Sequence, residues 1–391
     1  GYIKTGLYSK ITAEYHHLEE FRREGDNLNL PPHEVMIAEQ TKHGINTGGL
    51  KFDWFSKDQR HRFNAFASIQ HINRESYYGA GMDPNAYGMT TDLTWVGGAQ
   101  YIYRFDKCIF MPADLTVGLE YNEDYLKDNM WGYNRVTEQK VRIASAYAQN
   151  EWKNKQWSIL IGGRLEKHSL LTKPVFSPRA NIRYTPINPV ILRLSYASGY
   201  RAPQIYEEDL HVGAVGGEVS LIHLAEDLRP EYSHSISGSV DLYHRVGKWD
   251  LNLTLEGFFT QLNDVFTLVE NGHDSMGNLL LKRTNASGAR VAGLNVEGKV
   301  GYGHLLTLQL GYTYNHSRYM KEEVWSENPN IKPQKRMFRT PDHYGYFLLN
   351  IEPFENFHIV TNGKVTGSML VQHFAGYIEE DEEMETPTFF E

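Results

Sequence analysis

The chain has 391 residues and a net charge of −9, which leaves no basic face to neutralise phosphates and argues against a nucleic-acid partner. No run of eighteen or more apolar residues exists, so no helix can cross a membrane, and the single cysteine, Cys108, excludes an internal disulfide or a cysteine-based metal site. Mean hydropathy is −0.50, yet aromatics reach 13% with 25 Tyr and 34 Gly, a β-rich profile that fits a β-barrel whose lipid-facing and lumen-facing residues average to a polar chain.

Gly1-Tyr2-Ile3-Lys4 lacks the apolar stretch of a signal peptide. The C-terminal end is acidic and then reads Thr388-Phe389-Phe390-Glu391. The chain is expected to be a fragment at both ends. The first strand is expected over 6–18, followed by a polar connection over 19–45 in which Pro31-Pro32 forbids a strand interior. Further strands are expected over 48–55, 62–72, 93–105, 115–121, 141–152, 157–168, 176–184, 190–197, 232–243, 249–260, 290–302, 305–314, 343–351 and 357–366, about fifteen in all. The clearest alternate apolar and polar side chains over about ten residues: Trp249, Leu251, Leu253 and Leu255 against Asp250, Asn252, Thr254 and Glu256; Leu294 and Val296 against Asn295 and Glu297. A soluble strand runs about five or six residues, whereas a tilted strand needs about nine to eleven to cross a bilayer.

Short and long connections alternate. Loops are expected over 73–91, 122–138, 199–231, 262–284 and 315–341, with tight turns between them, the pattern of an outer-membrane barrel. Trp54, Phe55, Trp152, Trp157, Tyr184, Tyr243, Trp249, Tyr302 and Phe357 sit beside the tight turns, as an aromatic belt at one interface would. The fold class expected is therefore all-β, a transmembrane antiparallel β-barrel. An odd strand count leaves an unpaired edge in lipid, so further strands are expected from elsewhere. No repeat of 40–50 residues argues for a propeller.

Four landmarks follow in order: Phe176-Ser177-Pro178-Arg179-Ala180; Ser198-Gly199-Tyr200-Arg201-Ala202-Pro203 at the end of an alternating strand; Leu228-Arg229-Pro230-Glu231; and Asn295-Val296-Glu297-Gly298. Their types and spacing resemble the landmarks of TonB-dependent outer-membrane receptors. The Tyr- and Gly-rich stretch 77–91 is similar to receptors of Bacteroidetes-type bacteria. The resemblance covers essentially the whole chain and implies a barrel of about 22 strands with a plugged lumen. The plug domain and last strands are not recognisable here. It also implies TonB-energised uptake of a scarce nutrient, an iron chelate (siderophore) or haem, with a cobalamin receptor of the same fold, or a barrel with an enzymatic or structural role, as alternatives. Implied partners are outer-membrane lipid, the TonB complex through the plug, a small-molecule ligand and a surface lipoprotein.

In haem-uptake members a box similar to Tyr200-Arg201-Ala202-Pro203 precedes a ligand histidine. His211 and His223 follow it here, and imidazole suits haem iron. The box expected after them is missing, with Ala225-Glu226-Asp227-Leu228 in its place. The plain alternative is that Pro203 ends a strand at the rim. Tyr200, Arg201, His211 and His223 are the candidate ligand residues. Most other histidines, such as His16, His17, His61 and His343, read as solvated or belt residues. The run 379–385 suits an external loop better than a Ca²⁺ site. Arg179, Arg183, Arg193, Glu256, Glu297 and Lys299 are expected to face the lumen and a plug. No cofactor is expected beyond haem or a ferric chelate as cargo. There is no G-x-S-x-G, P-loop or H-E-x-x-H motif, so an enzyme is not expected.

Overall fold

The computed structural model describes the chain except residues 1, 7, 213–218, 327 and 374–379. It is almost entirely β. In chain order the strands are β1 Tyr2–Gly6, β2 Ser9–Gly25, β3 Ile37–Phe55, β4 His61–Ala80, β5 Tyr87–Cys108, β6 Met111–Met130, β7 Arg135–Lys153, β8 Trp157–His168, β9 Val175–Ile187 and β10 Val190–Arg201. They continue with β11 Ser220–Leu224, β12 Glu231–Val246, β13 Trp249–Asn263, β14 Phe266–His273, β15 Leu279–Asn285, β16 Ala289–Tyr302, β17 Leu306–Glu323, β18 Gln334–Arg336, β19 His343–Phe354, β20 Phe357–Thr366, β21 Leu370–His373, β22 Glu382–Glu385 and β23 Phe389–Phe390. Eighteen form one antiparallel barrel sheet in which each long strand pairs with its neighbours in sequence. Among the described residues β1 pairs only with β2, so the first and last strands of this sheet do not meet. The count exceeds the fifteen expected because β1, β18 and β23 are too short to show alternation.

Connections at one end of the sheet are tight: 56–60, 109–110, 154–156, 188–189, 247–248, 303–305 and 355–356. Gly247 and Gly303, at φ +60° and +53°, take backbone angles there that side chains resist. At the other end lie 26–36, 81–86, 131–134, 169–174, 202–230, 264–288 and 324–342. Three expected loops are corrected, one of them 262–284, most of which lies in β13, β14 and β15. The stretches 73–91 and 122–138 are mostly strand: β4 and β5 pair as far as Tyr77↔Tyr87, and β6 and β7 as far as Met130↔Arg135. Polar composition hid these extensions. Beyond a bilayer no face of a ribbon meets hydrocarbon, and Tyr77, Tyr78 and Met130 are buried under the connections instead, so the lipid-facing alternation stops while backbone pairing continues. The polar connection expected over 19–45 likewise shrinks to 26–36, with a 3-10 turn at Pro32–Glu34.

Strands β3 to β7 run 19 to 22 residues, whereas β8 to β10 run 12 or 13. About ten residues suffice for a bilayer, so the first group forms a tall wall and the second a low one. The long connections beyond the low wall lean onto the tall one. β11, from connection 202–230, pairs in parallel with β15, from connection 264–288, and β14 completes a three-stranded sheet. The buried core lies here. Tyr77, Tyr78 and Met130 from the tall wall, with Tyr133 from connection 131–134, enclose Val212 and Leu221 from connection 202–230.

The band near the tight turns has no such interior. Leu251, Leu253 and Val296 are 39%, 36% and 39% exposed. The alternate residues are bonded to one another across strands: Asn295 donates to Glu256 at 3.0 Å, Thr313 to Asn295 at 2.9 Å, and Gln309 and Tyr346 to Glu297 at 3.0 and 2.8 Å. Apolar side chains stand bare while polar ones are partnered, the reverse of a soluble sheet. Beside the tight turns, Trp157 stacks on Tyr184 at 4.1 Å, Trp249 packs on Tyr302 at 4.7 Å and Phe110 stacks on Trp152 at 5.5 Å.

Candidate ligand cleft beneath the loop cap

The tall wall and the adjoining β2 carry a row of opposed residues, Glu20, His43, Arg74, Thr90 and Asp128, one from each of β2 to β6. Opposed residues in antiparallel strands share a face. The row is bonded as a unit at its inner end. Arg74 Nε donates to Thr90 Oγ1 at 3.0 Å, Thr90 donates to Asp128 Oδ1 at 2.6 Å, and the Arg74 guanidinium lies 3.6 Å from the same carboxylate. Arg74, Thr90 and Asp128 are at most 5% exposed. Charges so placed must be paired to be tolerated.

Above this row lies a cleft of about 600 Å³, walled by Glu39, His43, Arg74 and Tyr78 from the strands and by Glu208 and His211 from connection 202–230. A one-turn helix, α1 Glu207–Leu210, positions the last two. The Asp209 carboxylate accepts the Tyr206 N–H at 2.9 Å at its start. Asp209 is 2% exposed and also receives the Arg283 guanidinium at 2.5–2.6 Å, tying this connection to β15. Arg135, at the top of β7, donates to the carbonyls of Asp209 and of Ile222 in β11. Thus α1, β11, β15 and the wall are joined through the buried Arg283 and the half-buried Arg135.

His211 Nε2 lies 3.4 Å from Glu39 Oε1, and its ring meets Tyr78 edge-on at 4.9 Å. The Glu39 carboxylate raises its pKa above the ordinary histidine value, outweighing burial. His223 lies elsewhere, exposed on β11 opposite Lys282. Partial desolvation of its ring, and then the nearby Arg135 charge, lower its pKa. The two histidines occupy different elements and do not form a pair. Tyr200 sits opposite Tyr232 near the end of β10 and approaches His168 edge-on at 6.4 Å. Arg201 ends β10, two residues before Pro203. It lies opposite Glu231, is 3.8 Å above the Tyr206 ring, and bonds Glu208 at 2.6 Å.

The six charged residues read from alternation all fall on one face. Arg183 opposes Arg193, Arg193 opposes Ser239, Ser239 opposes Glu256 and Glu256 opposes Asn295; Arg179 is four positions from Arg183, and Glu297 and Lys299 are two and four from Asn295. The row at Arg74 shares this face. The six do not gather into one site. Arg193 pairs with Asp241 and Arg179 with Gln149, while Lys299 lines a separate hollow by the tight turns with Asn252 and Tyr243. Among the described residues no cluster of three His, Cys, Asp or Glu could hold a metal ion; Glu379 of the acidic run lies outside them. Sequence reasoning missed Glu39, Arg74, Asp128, Glu208, Asp209 and Arg283. The signal available was period two continuing through Arg74, Ser76 and Tyr78; nothing local marks the rest.

A family model described as TonB dependent receptor-like, beta-barrel, matches residues 16–369. The chain belongs to this family. Solved structures with the same fold include the siderophore receptor PirA from Acinetobacter baumannii, with TM-score 0.70 and 13% identity over 100% of this chain and 62% of that one. A ferric enterobactin receptor (PfeA) mutant from Pseudomonas aeruginosa gives 0.73 and 14%, over 100% and 59%. The outer membrane transporter YddB from Escherichia coli gives 0.67 and 9%, over 99% and 60%. The chain thus spans about three-fifths of the length of these relatives, and at such identities the likeness concerns the fold. A search of curated proteins by sequence finds no match.

Proposed function

We propose that this TonB-dependent receptor barrel serves, in its complete form, as an outer-membrane importer of a small iron chelate. The observation that carries the reading is the inversion of the band, with a bare apolar face and a cross-bonded polar face, beneath a cap of long connections confined to one end. A sheet so built is stable with lipid against one face and a filled lumen against the other. Arg179, Arg183, Arg193, Glu256, Glu297 and Lys299 then line that lumen and meet a plug through which TonB acts. The cap and the cleft beneath it choose the cargo. Siderophore receptors among the structural neighbours support an iron chelate. The separation of His211 from His223 favours a chelate over haem held by two imidazoles. The test is growth of a deletion strain on ferric siderophores, haem or cobalamin as the sole supply. Loss of growth on a ferric siderophore alone is expected. Growth on every siderophore, with or without a defect on haem or cobalamin, contradicts the reading.

A further inference from the structure

Two guanidiniums from different elements converge on one solvent-facing carboxylate at the edge of the cleft. Arg201 Nη2 lies 2.6 Å and Arg283 Nη2 3.6 Å from Glu208 Oε1. Both guanidiniums have partners besides Glu208. Arg201 lies over the Tyr206 ring at 3.8 Å, is flanked by Phe266 at 5.3 Å, and has Glu231 at 4.0 Å. Arg283 is 6% exposed and is neutralised by the buried Asp209 carboxylate at 2.5 Å. Among the described residues Glu208 is held by little else, and its side chain is 55% exposed. Adjacent acids on one helical turn therefore divide their roles: Asp209 anchors the turn, and Glu208 fills a position between the two guanidiniums. Guanidiniums arranged this way suit an oxyanion.

We propose that Glu208 occupies an oxyanion subsite formed by Arg201 and Arg283, and that a ligand bearing carboxylate or comparably charged oxygens enters by displacing it. The identity of the ligand as a chelate rests on the receptor reading above; the subsite does not. Glu208 lowers apparent affinity by the fraction of time it fills the subsite. Displacement leaves the Asp209–Arg283 anchor intact, so the turn stays attached while its edge of the cleft opens. Glu231 beside Arg201, and Glu39 across the cleft, keep the field from attracting small anions indiscriminately.

The experiment is a titration of the full-length receptor in detergent with citrate and with ferric citrate, using a neutral ferric trihydroxamate as control. Glu208→Gln keeps the shape and removes the competing charge. It is expected to tighten citrate binding about fivefold, the scale of an exposed ion pair, and to leave the control unchanged. Arg201→Gln is expected to weaken citrate binding at least about tenfold. Unchanged or weaker citrate binding in Glu208→Gln, or no citrate binding in either protein, overturns the subsite. Retention of the heat-modifiable gel shift shows that each variant has folded. A tightened response without any growth phenotype keeps the subsite and removes the uptake reading. A siderophore growth defect with no response to Glu208→Gln does the opposite.

Discussion

In the band, Leu251, Leu253 and Val296 stand more than a third exposed while Glu256, Glu297 and Asn295 are bonded to their neighbours. Where the cap meets the tall wall, Tyr77, Met130 and Val212 are fully buried, and the charges Asp128 and Asp209 are buried too. Neighbouring regions of one chain thus follow opposite rules. The band is completed by an apolar solvent and needs no interior of its own. The cap stands in water and must bury apolar surface, as any soluble domain does. Residues of the same type therefore carry different consequences in the two places.

The largest difference concerns buried charge. Arg283→Met leaves the Asp209 carboxylate inside the cap without its partner and is expected to cost about 3–5 kcal/mol. The cap should become sensitive to protease while the band keeps its heat-modifiable gel shift. Arg283→Met combined with Asp209→Leu should recover most of that resistance, because neither charge is then left alone. Loss of the gel shift in the single variant would show that cap and band are one cooperative unit and end the comparison.

Next is the sidedness of the band. Leu253→Arg places a charge against hydrocarbon and is expected to cost about 2–4 kcal/mol near mid-bilayer. Asn252→Arg, one residue away on the polar face, should cost much less. Folding into lipid vesicles, followed by tryptophan fluorescence in urea, gives both values. Equal costs would remove the distinction between the faces.

The smallest effect is one of pH within the cap. The His211 pKa is raised by Glu39, so this contact stabilises the connection fully below the ordinary histidine value. The stabilisation is lost as pH rises through the raised one. His211 is about half exposed, so screening limits the effect to at most about 1 kcal/mol. The His223 pKa is lowered by partial desolvation and then Arg135. Its contribution has the opposite sign, being lost as pH falls from the ordinary value through the lowered one. Protease nicking of 202–212 should therefore increase above neutral pH in the native chain and lose that rise in Glu39→Gln. A rise that persists in Glu39→Gln would place the titrating group elsewhere.

How much of this was legible follows from the same contrast. Period-two alternation at Trp249–Leu255 and Leu294–Lys299 announces the band because side chains there answer to one flat boundary, and each strand can be read alone. The cap answers to contacts between residues far apart in sequence. Asp209 meets Arg283, Arg135 meets Ile222, and His211 meets Glu39; no local pattern encodes such pairs. Arg201 was legible as part of a landmark, but its carboxylate partner was not. The upper parts of β4 to β7 read as loops because Tyr, Gly, Asn and Pro crowd 77–91 and because Tyr77, Tyr78 and Met130 are buried against residues of the connections rather than along one lipid-facing side, so the alternation that marks the strand lower down is lost.

The most direct test of the central claim is site-directed spin labelling of the receptor in lipid vesicles, with Cys108→Ser as background. Labels at Leu251, Leu253, Val296 and Leu308 should collide with oxygen dissolved in the lipid and be shielded from a water-soluble nickel chelate. Labels at Asn252, Glu297 and Gln309 should show little collision with lipid-borne oxygen. The opposite accessibility, or no difference between the two sets, would contradict an apolar face turned to the membrane.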